Sequence, residues 1–293
     1  MLTRSTPVTG ILQNRSRALL NDFLPPKSIQ TFSIDASRLT TLISQEGIRF
    51  TFSPFSFQTR TGETVTGNVD LSFRAFLNKS ECILSDRMTT CEDRLLETIG
   101  HFCLQANQAS MPLQLSTPLT VEIPVPPQLS NPLSMQLFLE SVSSTGTPLA
   151  EKVFDWKTVG SKSVKVKKIQ RKKYFQFYLT ELNWFACSAF LSKKVPRTMV
   201  SARCTAPIDD LEELAAYVVF KDWNTVARMY LNGNRFIGVN ISSNKAATIV
   251  MIGFRQGEWF YGVHAIEKTA SQQVMVLLKP VIESQLLEYL RKL

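Results

Sequence analysis

The residues of this chain that come closest to a nucleophile and its base are His101 and Cys103, which flank Phe102. A nearby histidine can lower the pKa of a thiol and so favour the thiolate, the nucleophilic form. The only other histidine, His264, lies in an aromatic run, where a half-buried structural role is the better interpretation. The sequence contains no Gly-x-Ser-x-Gly, P-loop or His-Glu-x-x-His motif. Conventional catalysis therefore has few candidate residues, and we predict no cofactor.

The one acidic cluster follows Pro207 and consists of Asp209, Asp210, Glu212 and Glu213. Calcium sites gather carboxylates, but this cluster lacks the alternating ligand spacing and the glycine of a calcium loop. We interpret it as an exposed turn or a short helix start, with contact to a basic run elsewhere as the alternative. No metal site is predicted.

Five cysteines occur without a CxxC pair: Cys82, Cys91, Cys103, Cys187 and Cys204. An odd number with this spacing predicts neither a zinc site nor a closed disulfide framework, so we expect buried free thiols. Cys82 and Cys91 are near enough in sequence to bridge a loop in an oxidising compartment, and the sequence leaves that pairing open.

The formal net charge of +9 comes mostly from one segment. Between Gly160 and Tyr174 there are seven cations and no acid: Lys162, Lys165, Lys167, Lys168, Arg171, Lys172 and Lys173. Such a run suits contact with an acidic partner, an anionic surface or a nucleic acid. It equally suits a solvated linker, or an edge strand whose lysines prevent pairing with other sheets. No aromatic residue interrupts the run and no nucleic-acid recognition motif occurs, so a nucleic-acid partner is not favoured.

Aromatic residues in the second half offer another candidate surface. Trp184, Trp223, Trp259 and Tyr261 could line a carbohydrate or peptide groove, because aromatic rings supply large contact areas with a polar handle. The alternative is that they belong to the core. The candidate binding residues are therefore Lys165, Lys167, Lys168, Arg171, Lys172, Lys173, Trp184, Trp259 and Tyr261.

The elements that would position these residues are strands. Short alternating runs, bounded by Gly, Pro, Asn, Asp or Ser, recur through the chain, as in Ile48 to Phe52, Val65 to Phe76 and Glu258 to Ile266. Residues 78–92 break the alternation and predict a long connection with one helical turn. Near the end, Ile282, Leu286, Leu290 and Leu293 share one helical face. The pattern predicts an all-β chain, with two β-sandwich-like domains in tandem and a short C-terminal amphipathic helix.

The length of 293 residues fits two domains, and the 44% apolar content is that of a folded protein. We predict an N-terminal arm over 1–28 with a short helix over Arg17 to Phe23, a first sandwich over 29–145, a basic linker or edge segment over 146–173, and a second β domain over 174–293. No apolar run approaches the roughly 20 residues of a membrane span. The first residues lack a signal-peptide pattern, which predicts a cytoplasmic chain as written. Non-classical export, or a cell-surface position if the natural start lies upstream, are the alternatives.

One stretch carries a family resemblance. Gly47 to Phe57 contains a Pro-x-x-Phe segment, and Gly62 to Gly67 forms a Gly-x-x-Val-x-Gly turn that leads into a strand. This order resembles the β-sandwich domain shared by ankyrins and netrin receptors. It is more similar still to a group of mostly uncharacterised Bacteroidota proteins of envelope or surface type. The resemblance covers roughly Thr40 to Leu290 and implies the same sandwich here.

The resemblance also bears on possible sites. In the Bacteroidota group a tryptophan is typically followed by an asparagine-cysteine-aspartate set, whereas this chain keeps Trp184 and Cys187 but has Ala186 and Ser188 at the polar positions. Relatives of the ankyrin-type sandwich include domains that cleave themselves within a His-Phe-Ser motif. By that likeness His101 and Cys103 are candidates for self-cleavage, although a place inside a strand favours coincidence.

The sequence thus leads to two hypotheses of function. The first is a non-catalytic binding, structural or assembly protein that acts through β-sandwich surfaces and the basic segment, with a protein partner or a second copy as ligand. The second is a cargo or effector exported by a dedicated, contractile-injection type of secretion apparatus, with hydrolytic activity as an option. It is motivated by the likeness to envelope proteins combined with the lack of a recognisable signal.

Overall fold

A computed structural model describes residues 29–127, 129, 132–144, 152–160, 162–192, 194–205, 211 and 213–293. The predicted arm over 1–28, with its helix over Arg17 to Phe23, lies outside the described residues. So do Asp209, Asp210 and Glu212 of the acidic cluster.

The described chain is built almost entirely of strands. The first fifteen are β1 (Gln30–Asp35), β2 (Thr40–Ile43), β3 (Arg49–Phe52), β4 (Phe57–Gln58), β5 (Asn68–Phe76), β6 (Thr90–Cys91), β7 (Arg94–Gln108), β8 (Met111–Pro112), β9 (Gln114–Leu115), β10 (Leu119–Pro124), β11 (Gln136–Ser144), β12 (Lys152–Thr158), β13 (Lys165–Ile169), β14 (Lys172–Leu179) and β15 (Asn183–Phe190). The remainder are β16 (Arg197–Cys204), β17 (Glu213–Phe220), β18 (Val226–Asn232), β19 (Arg235–Ser242), β20 (Ala247–Arg255), β21 (Glu258–Ile266), β22 (Gln272–Val276) and β23 (Lys279–Val281). The helices are α1 (Lys79–Leu84) and α2 (Glu283–Arg291), with a 3-10 turn at Pro132–Ser134. The predicted all-β class is confirmed.

Two sheets form the first sandwich. Sheet A has the order β1-β5-β7-β15-β11-β12, with β6 and β8 paired to β7, and sheet B has the order β13-β14-β10-β3-β2. Phenylalanine rings from both sheets fill the space between them, as in the contact between Phe50 and Phe73, whose ring centroids are 4.9 Å apart. Successive side chains of a strand point to opposite faces, so every second residue faces the space between the sheets. Along β5, Val69, Leu71 and Phe73 are buried while the residues between them are not.

Strand pairing places β14 and β15 in this first sandwich. β14 pairs with β10 in sheet B, and β15 pairs with β7 and β11 in sheet A. The sequence prediction differs, because it started the second domain at residue 174. Alternation shows that a segment is a strand but does not show which strand it pairs with, so a boundary drawn from local composition fell inside the sheets.

The second unit is built on one eight-stranded sheet, sheet C, with the order β22-β16-β19-β18-β17-β20-β21-β23. Its two outermost strands, β22 and β23, are consecutive in the chain and are joined by Leu277 and Leu278. The sheet therefore curls until β21 approaches the chain after β22. Gly262 permits that approach, since a Cβ there would lie 2.5 Å from the carbonyl oxygen of Leu277. The enclosed core includes Val218, Met251 and Val276.

The predicted C-terminal amphipathic helix is confirmed as α2. It packs on the outer face of sheet C through Leu286 and Leu290, which are buried against residues such as Val250. Ile282 is 64% exposed, because it lies at the N-cap, before the first helical turn. Leu293 is partly buried in the same cluster.

The connection predicted over residues 78–92 contains the one helical turn expected there, α1. A capping box starts it: the Asn78 side chain accepts a hydrogen bond from the Glu81 backbone, and the Glu81 side chain accepts one from the Asn78 backbone. Ile83 and the rest of its buried face contact the same outer face of sheet C as α2. A helix from the first unit is therefore part of the packing of the second.

Hydrogen bonds also join the two units. Thr89 makes three with Val226. Its hydroxyl donates to the Val226 carbonyl at 2.9 Å and accepts from the Val226 N–H at 2.7 Å, and its own N–H donates to that carbonyl at 3.0 Å. The Asn224 side chain donates to the carbonyls of Leu77 and Thr98. Backbone groups of the first unit are thus satisfied by the second, which fixes their contact.

Among the described residues, no helix is long and apolar enough to cross a bilayer.

Candidate functional site

The basic run forms a hairpin at the edge of the first sandwich. Its strands are β13 and the first part of β14, and Gln170 and Arg171 make the turn with φ values of 44° and 70°. Two consecutive residues in the left-handed region are typical of the tight turns that match the twist of hairpin strands. We call β13, this turn and β14 up to Tyr178 the basic hairpin.

The six candidate cations lie on the basic hairpin and are exposed: Lys165, Lys167, Lys168, Arg171, Lys172 and Lys173. Lys168 and Lys173 are directly opposite each other across the two strands. Like charges in opposed positions destabilise a strand pair, so the hairpin holds this charge at a cost.

Glu122, on β10, anchors the hairpin to the sheet. Its carboxylate accepts hydrogen bonds from the Lys167 Nζ at 3.1 Å and the Gln176 Nε2 at 2.9 Å, and lies 3.1 Å from the Arg49 Nε. The Glu122 side chain is only 8% exposed. Among the described residues, Lys167 is the only one of the six hairpin cations in an ion pair, so the other five charges are not neutralised within the described chain.

Aromatic rings lie beside these cations, which the sequence analysis missed. Phe175 and Phe177 point into the core, so Tyr174 and Tyr178 lie on the outer face of β14. Tyr174 is opposite Lys167, and Tyr178 is 59% exposed. The sequence did contain a signal for these aromatic residues. Tyr174, Gln176 and Tyr178 alternate after the basic run, and a hairpin over that run would bring its lysines beside them.

The basic hairpin also has an open edge. β13 is the outermost strand of sheet B, and within the described residues it pairs only with β14. Alternate backbone N–H and C=O groups along its other side are therefore available to another extended chain. Two of the five uncompensated cations, Lys165 and Lys168, lie on this edge strand, and the other three lie in the adjoining turn and on β14.

His101 and Cys103 lie on the same face of β7, but the structure does not pair them as a base and a nucleophile. The His101 Nδ1 lies 3.8 Å from the Sγ of Cys82, and its ring centroid is 4.8 Å from that of Trp156. Burial, aided by the charge of Arg87, lowers the pKa of His101 to about 3. Burial raises the pKa of the Cys103 thiol to about 11. The imidazole is thus neutral and enclosed, and the thiol is protonated.

The peptide bonds of the candidate self-cleavage motif lie inside regular pairing. Phe102 is opposite Ala75 on one side and Phe185 on the other, and it is fully buried. Self-cleavage requires a strained and attackable peptide, such as one at a strand end. The geometry gives no support to that chemistry.

Cys82 and Cys91 are both free thiols with different neighbours. The Cys91 Sγ donates to the carbonyl oxygen of Trp156 at 2.8 Å, whereas Cys82 lies beside His101. Burial raises the pKa of Cys82 to about 12 and that of Cys91 to about 11. The bridge that the sequence left open is not formed.

Trp184 lies on the outer face of sheet A and is half-buried. It stacks on Phe76 with ring centroids 5.1 Å apart, and the Arg87 guanidinium is 4.7 Å from its centroid. Beside it, Glu140 accepts a hydrogen bond from the Asn183 side chain at 2.6 Å and is 4.0 Å from Arg87. Trp184 thus belongs to a surface cluster and also lines a hollow on this face.

Trp259 and Tyr261 lie on β21 of sheet C, a different sheet from the basic hairpin, and α2 packs against them. Trp259 is 8% exposed and packs on Phe254, with ring centroids 4.8 Å apart. Tyr261 stacks on Tyr289 of α2 at 5.3 Å, and burial raises its pKa to about 12. The structure places these two candidates in packing contacts with helix and sheet and does not bring them together with Trp184.

In residues that the structure describes, no three His, Cys, Asp or Glu side chains come together in a way that could hold a metal ion. Glu213, the one described member of the acidic cluster, is buried at the start of β17.

Comparison with protein-family models gave no match, and comparison with curated proteins gave no significant match. The resemblance to the ankyrin and netrin-receptor sandwich therefore stays a prediction, and the functional interpretation rests on the geometry above.

Proposed function

We propose that this chain is a non-catalytic binding and assembly protein whose docking surface is the basic hairpin, and that its partner is an acidic, extended protein segment. The observation that carries the proposal is the unpaired strand edge of β13 within a hairpin that bears five cations which the described chain does not neutralise.

The open edge supplies the mode of binding. An extended segment that adds beside β13 would form main-chain hydrogen bonds with it, as in other cases of β-strand addition. Lys165 and Lys167 lie on the outer face of the sheet, and Lys168 lies on the other face. A partner strand with acidic residues on both faces would therefore meet cations on both.

Electrostatics supply the selectivity. Lysines on an edge strand prevent pairing between like copies, because the two basic edges repel each other. The same charge attracts an acidic strand and relieves the repulsion between Lys168 and Lys173. Tyr178, exposed beside Gln176, adds contact area on the outer face.

The test uses a short peptide with the repeat Glu-Glu-Val-Val, which places acidic side chains on both faces of an extended strand. A Lys-Lys-Val-Val peptide of equal length is the comparison. We expect the full chain to bind the acidic peptide, with amide hydrogen exchange slowed along β13. Replacement of Lys165, Lys168, Lys172 and Lys173 by Gln should weaken binding about tenfold or more. Lys167 is kept, because it anchors the hairpin through Glu122.

A matched control removes the same charge elsewhere. Lys194, Lys221, Lys268 and Lys279 are exposed and lie outside the hairpin, so their replacement by Gln should leave binding nearly unchanged. Equal losses in both variants would mean that only net charge matters. Equal affinity for the two peptides, or protection away from β13, would contradict the proposed site.

A further inference from the structure

The outer face of sheet A carries two adjoining hollows on the opposite side of the sandwich from the outer face of sheet B. One, of about 450 Å³, is lined by Thr31, Ser33, Asp70 and Asn107 among others. The second, of about 250 Å³, is lined by residues that include Arg74, Gln105 and Trp184. Ser72 lines both, and together the two hollows extend across β1, β5 and β7; we call the pair the groove.

Strand register organises the polar groups of this groove in rows. Thr31 is opposite Ser72, and Ser72 is opposite Gln105. One row along, Ser33 is opposite Asp70, and Asp70 is opposite Asn107. Neighbouring strands lie about 4.8 Å apart, so hydroxyl and amide groups recur at that spacing across the face.

These side chains have unused hydrogen-bonding capacity. Within the described chain, no hydrogen bond or ion pair to protein engages the side chains of Thr31, Ser33, Asp70, Ser72, Gln105 or Asn107. The outer face of sheet B differs, because there Glu122 engages Lys167 and Gln176 and lies beside Arg49, while Thr41 bonds to Thr51. The polar side chains on the outer face of sheet B thus bond to one another, whereas, among the described residues, those of the groove on sheet A do not.

Over β5 and β7 of the described chain the groove offers no free main-chain groups to a ligand. β5 is paired on both sides, with β1 and β7, and β7 is paired with β5 and β15 along the same stretch. Their backbone N–H and C=O groups are therefore already used in the sheet. A ligand that lies over β5 and β7 is therefore recognised by side chains, and an added peptide strand could pair only at the outer edge of β1.

The chemistry of the lining narrows the ligand further. Asp70 and Arg74 are the charged residues that line the groove, and their charges balance. The rest are hydroxyls and amides, which donate and accept, and Trp184 with Cys103 forms a less polar end. Because the two charges offset each other, the groove offers no net electrostatic attraction to a polyanion or to a polycation.

We infer that the groove on the outer face of sheet A binds a neutral saccharide. Sugar hydroxyls both donate and accept, so they match the interleaved hydroxyl and amide groups of Ser72, Gln105 and Asn107. The apolar C–H groups of the sugar pack against the edge of Trp184, whose ring is already in contact with Phe76 and Arg87. This site is separate from the basic hairpin and does not depend on the proposed function.

The test is a titration of the full chain with a panel of neutral oligosaccharides of glucose, mannose, xylose and N-acetylglucosamine in both anomeric linkages. A sulfated saccharide and a Gly-Ser peptide are included for comparison. At least one neutral member should bind, with hydrogen exchange slowed on β5 and β7. Because two hydrogen-bonding side chains are lost, Ser72→Ala with Gln105→Ala should weaken that binding about tenfold or more.

Two control variants, altered outside the groove, test whether a loss of saccharide binding is specific to the groove. Thr51→Ala with Thr120→Ala removes an outward neighbouring pair from sheet B, and it should bind the saccharide as the unaltered chain does. The lysine variant of the basic hairpin should also bind it normally. No binding by any neutral saccharide at millimolar concentration, an equal loss in the sheet B control, or a preference for the sulfated saccharide or the peptide would each overturn the inference.

Discussion

The Asp86 carboxylate lies 3.1 Å from the Nη1 of Arg228, and the two side chains are 9% and 10% exposed. Asp86 follows α1 in the first unit, whereas Arg228 lies on β18 in sheet C. Burial by itself would lower the pKa of Arg228, but its interactions with Tyr217 and Asp86 outweigh burial and raise that pKa. A buried ion pair therefore joins the two units beside the hydrogen bonds of Thr89.

Breaking this pair on one side should destabilise the protein strongly. Arg228→Met leaves the Asp86 carboxylate without its cation in a buried place, and such losses cost about 3–5 kcal/mol. Asp86→Asn should cost a comparable amount, because it leaves the buried Arg228 guanidinium, which stays protonated, without its carboxylate. Asn tolerates the φ of 52°, so the backbone adds little to that cost. Urea unfolding measures both. The exposed pair of Arg38 and Asp35 is the control, and its removal should change stability little.

Glu122→Gln should loosen the basic hairpin. The neutral amide replaces a carboxylate beside three cationic or amide donors, so we expect the free energy of unfolding to fall by about 1–3 kcal/mol. Hydrogen exchange of β13 should become faster. Glu267→Gln, on an exposed acid, is the control. An unchanged exchange rate of β13 would show that Glu122 does not anchor the hairpin.

His101 should make stability depend on pH. Its pKa is about 3 in the folded chain against an ordinary value of 6.5, so between these values the unfolded chain takes up a proton that the folded chain does not. Stability should therefore fall as pH decreases through this window, by about 1.4 kcal/mol per pH unit from this residue, and be unaffected by it above pH 6.5. Urea unfolding of the protein and of His101→Gln at several pH values isolates the effect, since the carboxylates are common to both. Parallel curves would contradict it.

Thiol titration should find five free cysteines. Cys82, Cys91 and Cys187 are buried, and burial raises the pKa of each thiol, so at most the two half-buried ones, Cys103 and Cys204, should react in the folded protein at neutral pH. All five should react in denaturant with a chromogenic disulfide reagent. Only three reactive thiols in denaturant would reveal a disulfide.

The freshly purified protein should stay intact. Because the peptide bonds around Phe102 lie inside paired strand, a denaturing gel should show one band of 33.1 kDa. Two fragments that disappear in His101→Gln and in Cys103→Ala would establish self-cleavage instead.

Local sequence patterns were sufficient to predict individual strands and the C-terminal helix. The alternation around Val69 to Phe73 predicts β5, and the spacing of Leu286 and Leu290 predicts α2, because side-chain period follows directly from backbone geometry. The sequence also showed the basic run, and an edge strand was one of the interpretations that it allowed. These properties depend on residues near each other in sequence.

What the sequence by itself determined was the all-β class, the C-terminal helix and the concentration of charge between Gly160 and Tyr174. Only the tertiary structure decided that β14 and β15 complete the first sandwich, that Tyr174 lies opposite Lys167, and that Ser72 and Gln105 share a groove. The physical reason is that pairing between strands is non-local. Alternation specifies which face of a strand is buried, whereas its neighbour is selected by the packing of the whole sheet.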